Sequence, residues 1–177
     1  KERCLDISYE YFKDPNTLSF LRSQHRNMNI VISRSSFNHA VYNNSNTIVA
    51  ALAFAKNDPD YAATLISNAL YNLEAYWELV KDGGFEEPST YYHYCAGRAE
   101  NAMSALYSSL GTLYDYEKSP GFKNTAWFGL YMYGPMTFGD CHPTKSSFDT
   151  NSLYFYAKMS RNAQMMKRII DLDQGTA

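Results

Sequence analysis

The chain has 177 residues, of which 45% are hydrophobic and 19% charged, a balance that supports one packed domain and excludes a disordered chain. The formal net charge of −2 gives no overall positive field for nucleic acid, so a polyanionic ligand would need a local basic patch, for which Arg22, His25, Arg26 and Arg34 are candidates. There is no membrane-spanning apolar run and no signal-peptide core, and Cys4, Cys95 and Cys141 are too widely spaced for a metal or redox pair.

The segment Leu5 to Ile32 reads as broadly helical, broken at Asp14-Pro15-Asn16. Ser33 to Asn46 is polar, with Asn43, Asn44 and Asn46 close together. Asparagine competes with helix by bonding nearby backbone, so a loop is expected there, capping the next helix. That helix is expected over Thr47 to Lys56. It is apolar almost all round, which predicts burial on every side.

Asp58-Pro59 supplies an N-cap and a first-turn proline. Ala62, Leu65, Ile66, Ala69, Leu70, Leu73 and Trp77 then recur at helical spacing and predict one core-facing stripe, ending near Val80. A loop from Lys81 to Thr90 precedes a long helix, Tyr91 to about Glu117, with a stripe of Ala99, Ala102, Met103, Leu106, Leu110 and Leu113. Ser119-Pro120-Gly121 is expected to stop it. An aromatic helix follows, Lys123 to Tyr133, then a loop from Gly134 to Thr150 holding Asp140, His142 and Pro143. A last helix is expected over Asn151 to Leu172.

No stretch alternates with period two for long enough to build a sheet. The fold class is therefore all-α: stacked antiparallel helical hairpins, forming an arc of, or part of, an (α/α) toroid. Residues 1–177 read as a single helical-hairpin domain. About three hairpins are about half of a closed six-hairpin ring, so a fragment of a larger catalytic domain is expected.

Two segments concentrate the unusual polar residues. The first is Phe37-Asn38-His39-Ala40-Val41-Tyr42-Asn43-Asn44-Ser45-Asn46 and the second runs from Asp82 to Tyr94. Each leads into a helix, and two helices lie between them, so both are expected at one end of the bundle. Asn38, His39 and Tyr91 supply an amide, an imidazole and a phenol. Those groups suit removal of the proton next to the carboxylate of a uronic acid. The amide neutralises that carboxylate, and imidazole, with an unperturbed pKa of about 6.5, takes the proton. The phenol protonates the leaving glycosidic oxygen. Each residue also has an ordinary structural reading: Asn38 as a turn cap, His39 as a loop residue, Tyr91 and Tyr94 as a packing pair, and Glu87 acting on a helix dipole.

The run Asp82-Gly83-Gly84-Phe85-Glu86-Glu87-Pro88-Ser89-Thr90-Tyr91-Tyr92-His93-Tyr94 resembles the signature segment of the heparinase II/III and alginate lyase-like superfamily. Asn38-His39, lying 52 to 53 residues before Tyr91, is similar to that family's Asn-His region, and Phe138-Gly139-Asp140 to a later segment. Pro88 stands where the signature has glycine. The resemblance spans about Phe37 to Pro143. It implies a polysaccharide lyase of the periplasm or extracellular space that needs no cofactor and no metal. It also implies an acidic polysaccharide substrate, a toroid remainder and β-sandwich domains beyond this chain, with no nucleic acid or membrane span. By the same resemblance Tyr91, His39 and Asn38 are catalytic. Glu87, Tyr94, Asn43, Asn44 and His142 are the expected substrate contacts. Two other readings remain: a non-catalytic glycan- or protein-binding helical module, and a uronyl epimerase. A glycoside hydrolase would need a pair of carboxylates, and Glu86, Glu87 and Asp140 form no evident inner pair.

Overall fold

The computed structural model describes residues 34–132 and 150–175. Among these residues there are six α-helices and no strand: α1 (Asn38–Phe54), α2 (Pro59–Leu79), α3 (Ser89–Leu110), α4 (Pro120–Tyr131), α5 (Thr150–Met159) and α6 (Ala163–Asp173). The all-helical class is as expected. The segment Leu5 to Ile32, the patch residues Arg22, His25 and Arg26, and the loop residues Asp140, His142 and Pro143 lie outside the described residues.

Helix α1 begins nine residues earlier than the asparagines suggest, at Asn38 rather than Thr47. The cause is tertiary. Asn44 is fully buried, donates to the Ala40 carbonyl at 2.8 Å and accepts from Asn72 of α2 at 3.1 Å. An asparagine whose amide is satisfied within the helix and across to a neighbour no longer competes with it. Nor is α1 buried on every side. Ile48, Ala51 and Phe54 are buried, but Val49 is 41% exposed.

Helix α2 follows its sequence closely. The Asp58 side chain accepts from the Tyr61 amide at 3.2 Å, Pro59 opens the first turn, and all seven stripe residues from Ala62 to Trp77 are buried. A short 3₁₀ turn, Val80–Asp82, ends at Gly83, whose φ of +83° is the left-handed conformation that glycine adopts without cost. Helix α3 stops at Gly111, also left-handed, rather than near Glu117. Leu110 is accordingly 47% exposed, and Leu113, though buried, lies beyond the helix. Ser119-Pro120 starts α4 instead of ending α3, with the Ser119 hydroxyl accepting from the Phe122 amide at 3.2 Å. The expected last helix is two. Arg161, with φ of +52°, turns the chain between α5 and α6, and Asn162 caps α6 through the Met165 amide.

Helices α1 and α2 form an antiparallel hairpin, shown by the Phe54–Tyr61 ring contact at the turn and the Asn44–Asn72 bond farther along. Helix α3 runs parallel to α1, since Asn38 meets Glu87 and, farther along both helices, Tyr42 meets Tyr94. Helix α4 covers α2 and α3 at close range. A Cβ on Gly121 would lie 1.7 Å from the Trp77 carbonyl oxygen, and one on Gly129 would lie 2.8 Å from the Tyr92 ring. The core beneath is aromatic, built from Tyr76, Trp77, Tyr92, Phe122 and Tyr156 in tilted and edge-to-face contacts. Such geometry suits the ring quadrupole and adds to the burial of apolar area.

Candidate functional site

The two polar segments do meet. Phe37 provides no side-chain cap for α1. The carboxylate of Glu87, just before α3, takes that role. It accepts from the Asn38 backbone N–H at 3.0 Å and from the Asn38 side-chain amide at 2.6 Å. A carboxylate at a helix N-terminus also gains from the positive end of the dipole. Beside this pair the Ser36 hydroxyl donates to Glu86 at 2.9 Å. Gly83 and the bond from the Gly84 amide to Asp82 shape the turn before Glu86 and Glu87. Pro88 contributes its carbonyl to the Tyr92 amide at 3.0 Å, in extended backbone that proline favours.

Above the joint lies a surface shared by α1 and α3. His39, Tyr42, Asn43 and Asn46 fall at helical spacing on α1, and Tyr91, Tyr94 and Arg98 do so on α3. The Tyr42 and Tyr94 rings stack face to face, with centroids 4.8 Å apart and planes within 1°. The Arg98 guanidinium sits 4.9 Å from the centre of the Tyr42 ring and 5.9 Å from that of Tyr94. A cation over two aromatic faces is held by their quadrupoles while its N–H groups stay available for an anion.

Burial, and then the neighbouring Tyr42, raise the Tyr94 pKa above its ordinary value, with Arg98 pulling the other way. Tyr94 is therefore a neutral phenol near neutral pH. The Cys95 thiol, buried behind this surface, is pushed up by burial and by the Glu87 charge and does not act as a thiolate nucleophile.

Of the expected site residues, the structure brings Asn38 and Glu87 into direct contact and places His39 next to them, exposed, on the first turn of α1. Tyr91 lies on the first turn of α3, half-buried against the core. Tyr94 is 39% exposed. Asn43 is half-buried, and its carbonyl accepts from the Thr47 hydroxyl at 2.8 Å. Asn44 stands apart from the group. Fully enclosed between α1 and α2, its side chain serves the hairpin and reaches no ligand surface. His142 is outside the described residues. Arg34, one member of the anticipated basic patch, is engaged by Glu74 at 3.2 Å and by the Tyr71 hydroxyl at 3.0 Å.

Tyr42 and Arg98 are additions that sequence reading missed. Their signal was present: Tyr42 is one helical turn from Asn38, and Arg98 is two turns from Tyr91. Among the described residues no three His, Cys, Asp or Glu side chains converge as metal ligands, and no helix is long and apolar enough to cross a membrane. No family model, curated protein or solved structure matches the chain.

Proposed function

We propose that the chain is the helical part of a lyase that cleaves uronic-acid polysaccharide by β-elimination, in the periplasm or outside the cell. In this reading the helices are an arc of an α/α toroid completed by further chain. The observation that carries it is the bond between Asn38 and Glu87, which joins the two polar segments at one rim beside an aromatic pair and an arginine.

The chemistry assigns a role to each group. A sugar ring packs against the exposed part of Tyr94, as carbohydrate does on aromatic faces. Arg98 and the second N–H of the Asn38 amide receive the uronate carboxylate and offset the charge that builds up as the adjacent proton leaves. His39 takes that proton. Tyr91 gives one to the glycosidic oxygen as its bond to carbon breaks, leaving a double bond in the sugar. Glu87 is a positioning residue that acts through Asn38.

Mixing the protein with alginate, heparin or chondroitin sulfate should raise the ultraviolet absorbance, because the unsaturated product absorbs and the substrate does not. Tyr91→Phe should abolish that rise while the helical circular dichroism is kept. A fully active Tyr91→Phe protein removes Tyr91 from the mechanism, and no rise with any uronate polymer removes the lyase reading. A non-catalytic glycan-binding module is the second reading. It is favoured by the burial of Asn38, only 9% exposed, whose amide already holds a carboxylate of its own chain. Saturable polymer binding without product supports that module.

A further inference from the structure

Between the start of α4 and the end of α5 lies a recess of about 610 Å³ that none of the preceding chemistry uses. Lys118, Lys123, Lys158 and Arg161 line it, with Glu117 the single acidic residue among the lining. Lys118 is paired with Asp115 at 2.7 Å, while no ion pair among the described residues engages Lys123, Lys158 or Arg161. The Ser160 hydroxyl and one carboxylate oxygen of Glu117, both residues of this lining, are shut off from solvent and have no hydrogen-bond partner among the described residues.

Helix dipoles account for part of this charge and not the rest. Lys158 in the last turn of α5 and Arg161 just beyond it complement the negative end of that helix. Lys118 and Lys123 flank the positive end of α4, whose first turn has no acidic residue, and there a cation is electrostatically unfavourable. Arg161 carries a second cost. Its φ of +52° is a conformation that glycine or asparagine adopts more easily. With Lys123, Lys158 and Arg161 outside any ion pair among the described residues and Glu117 the one opposing charge, the recess carries surplus positive charge that favours an anionic guest.

We infer that this recess binds a multiply charged oxyanion, a phosphate or sulfate group, through Lys123, Lys158 and Arg161. The site is independent of the lyase reading. Because the cations of the lining outnumber Glu117, the net attraction grows with the charge of the guest, which favours phosphate or sulfate over carboxylate.

Titration calorimetry at low ionic strength, where screening is weak, tests the site with inorganic phosphate, inorganic sulfate, a phosphate monoester and a sulfated disaccharide. Saturable uptake of the free ions identifies a free anion as the ligand. Uptake of the esters alone identifies a phosphorylated or sulfated molecule. Lys123→Gln and Arg161→Gly should each weaken the binding about tenfold, the effect of losing one charge-assisted contact. Arg161→Gly also relieves the left-handed residue, so its melting temperature should rise, which separates lost binding from lost folding. The inference is overturned if none of the four probes binds. It is equally overturned if Lys56→Gln, a change outside the recess, weakens binding as much as Lys123→Gln.

Discussion

Tyr92 and Tyr94 stand two residues apart on α3 and face opposite worlds. Tyr92 is fully buried, its hydroxyl donating to the Thr125 carbonyl of α4. Tyr94 is 39% exposed, its ring stacked on Tyr42 and approached by Arg98. In one region tyrosine is a core residue whose single polar atom is matched by a backbone acceptor, and in the other it is a part-exposed ring stacked on, and hydrogen-bonded to, a second tyrosine. The same residue type thus serves the core or the surface according to what encloses its ring. Tyr76 and Tyr156 belong with Tyr92, bonded to the Thr125 hydroxyl at 3.0 Å and to the Ala96 carbonyl at 2.8 Å. A tyrosine-rich composition alone could not make that division.

The largest expected effect breaks the core side of the contrast. Gly121→Ala would drive a Cβ into the backbone of Trp77, 1.7 Å from its carbonyl oxygen, and neither helix has a flexible side chain there to yield. Helix α4 must lift from α2, exposing Phe122 and Ala126, so a loss above about 4 kcal/mol is expected in urea unfolding. A near-neutral Gly121→Ala variant would show that α4 is not held at this distance. Function at the rim should be affected only through the loss of folded protein.

Alkaline pH loads the same region. Burial is the leading cause that raises the pKa of Tyr76, Tyr92 and Tyr156 above the ordinary value of 10.0. The unfolded chain therefore releases these protons at lower pH than the folded one. Their contribution is intact below pH 10 and declines as pH rises beyond it, by about 1.4 kcal/mol per tyrosine per pH unit. Stability measured against pH should bend downward above that point, and phenolate absorbance should lag until unfolding. Tyr116, half-buried beside Glu74 and raised to about 12 mainly by burial, should also titrate late, and its contribution declines from pH 10 until about pH 12. Early phenolate formation by all tyrosines in the folded protein would contradict the core described here.

Local signals carried much of this architecture. Asp58-Pro59 and the seven-residue stripe of α2 could be read directly, because a cap and a helical apolar period act within a few residues. Ser119-Pro120 is also a cap signal, yet it reads equally well as a stop, and only Gly111 shows where α3 ends. The helical state of Asn43 to Asn46 depends on Asn72, which is 28 residues away from Asn44 in the chain. The turn at Arg161 has neither glycine nor proline to announce it. At the rim, the meeting of the segments around Asn38 and Glu87 followed from counting two intervening helices. The Tyr42–Tyr94 stack and Arg98 required the parallel register of α1 and α3, which no local pattern encodes.

The smallest effects sharpen the contrast with which the two tyrosines began. Tyr92→Phe keeps the ring and removes one hydroxyl, leaving the Thr125 carbonyl without that donor inside the core, so a loss of about 1–3 kcal/mol is expected. Tyr94→Phe removes a hydroxyl bonded to Tyr42 at a part-exposed position where water can replace it for that partner, and its stability should stay within about 0.5 kcal/mol of the parent. Binding should show the opposite order. Uronate polymer affinity should fall in Tyr94→Phe, and further in Tyr94→Ala, which also deprives Arg98 and Tyr42 of their ring partner. Tyr92→Phe, compared at a temperature where both proteins are folded, should bind as the parent does. Equal losses of affinity at the two positions would mean that the stack is packing like the rest, and that the ligand surface between α1 and α3 has to be sought elsewhere.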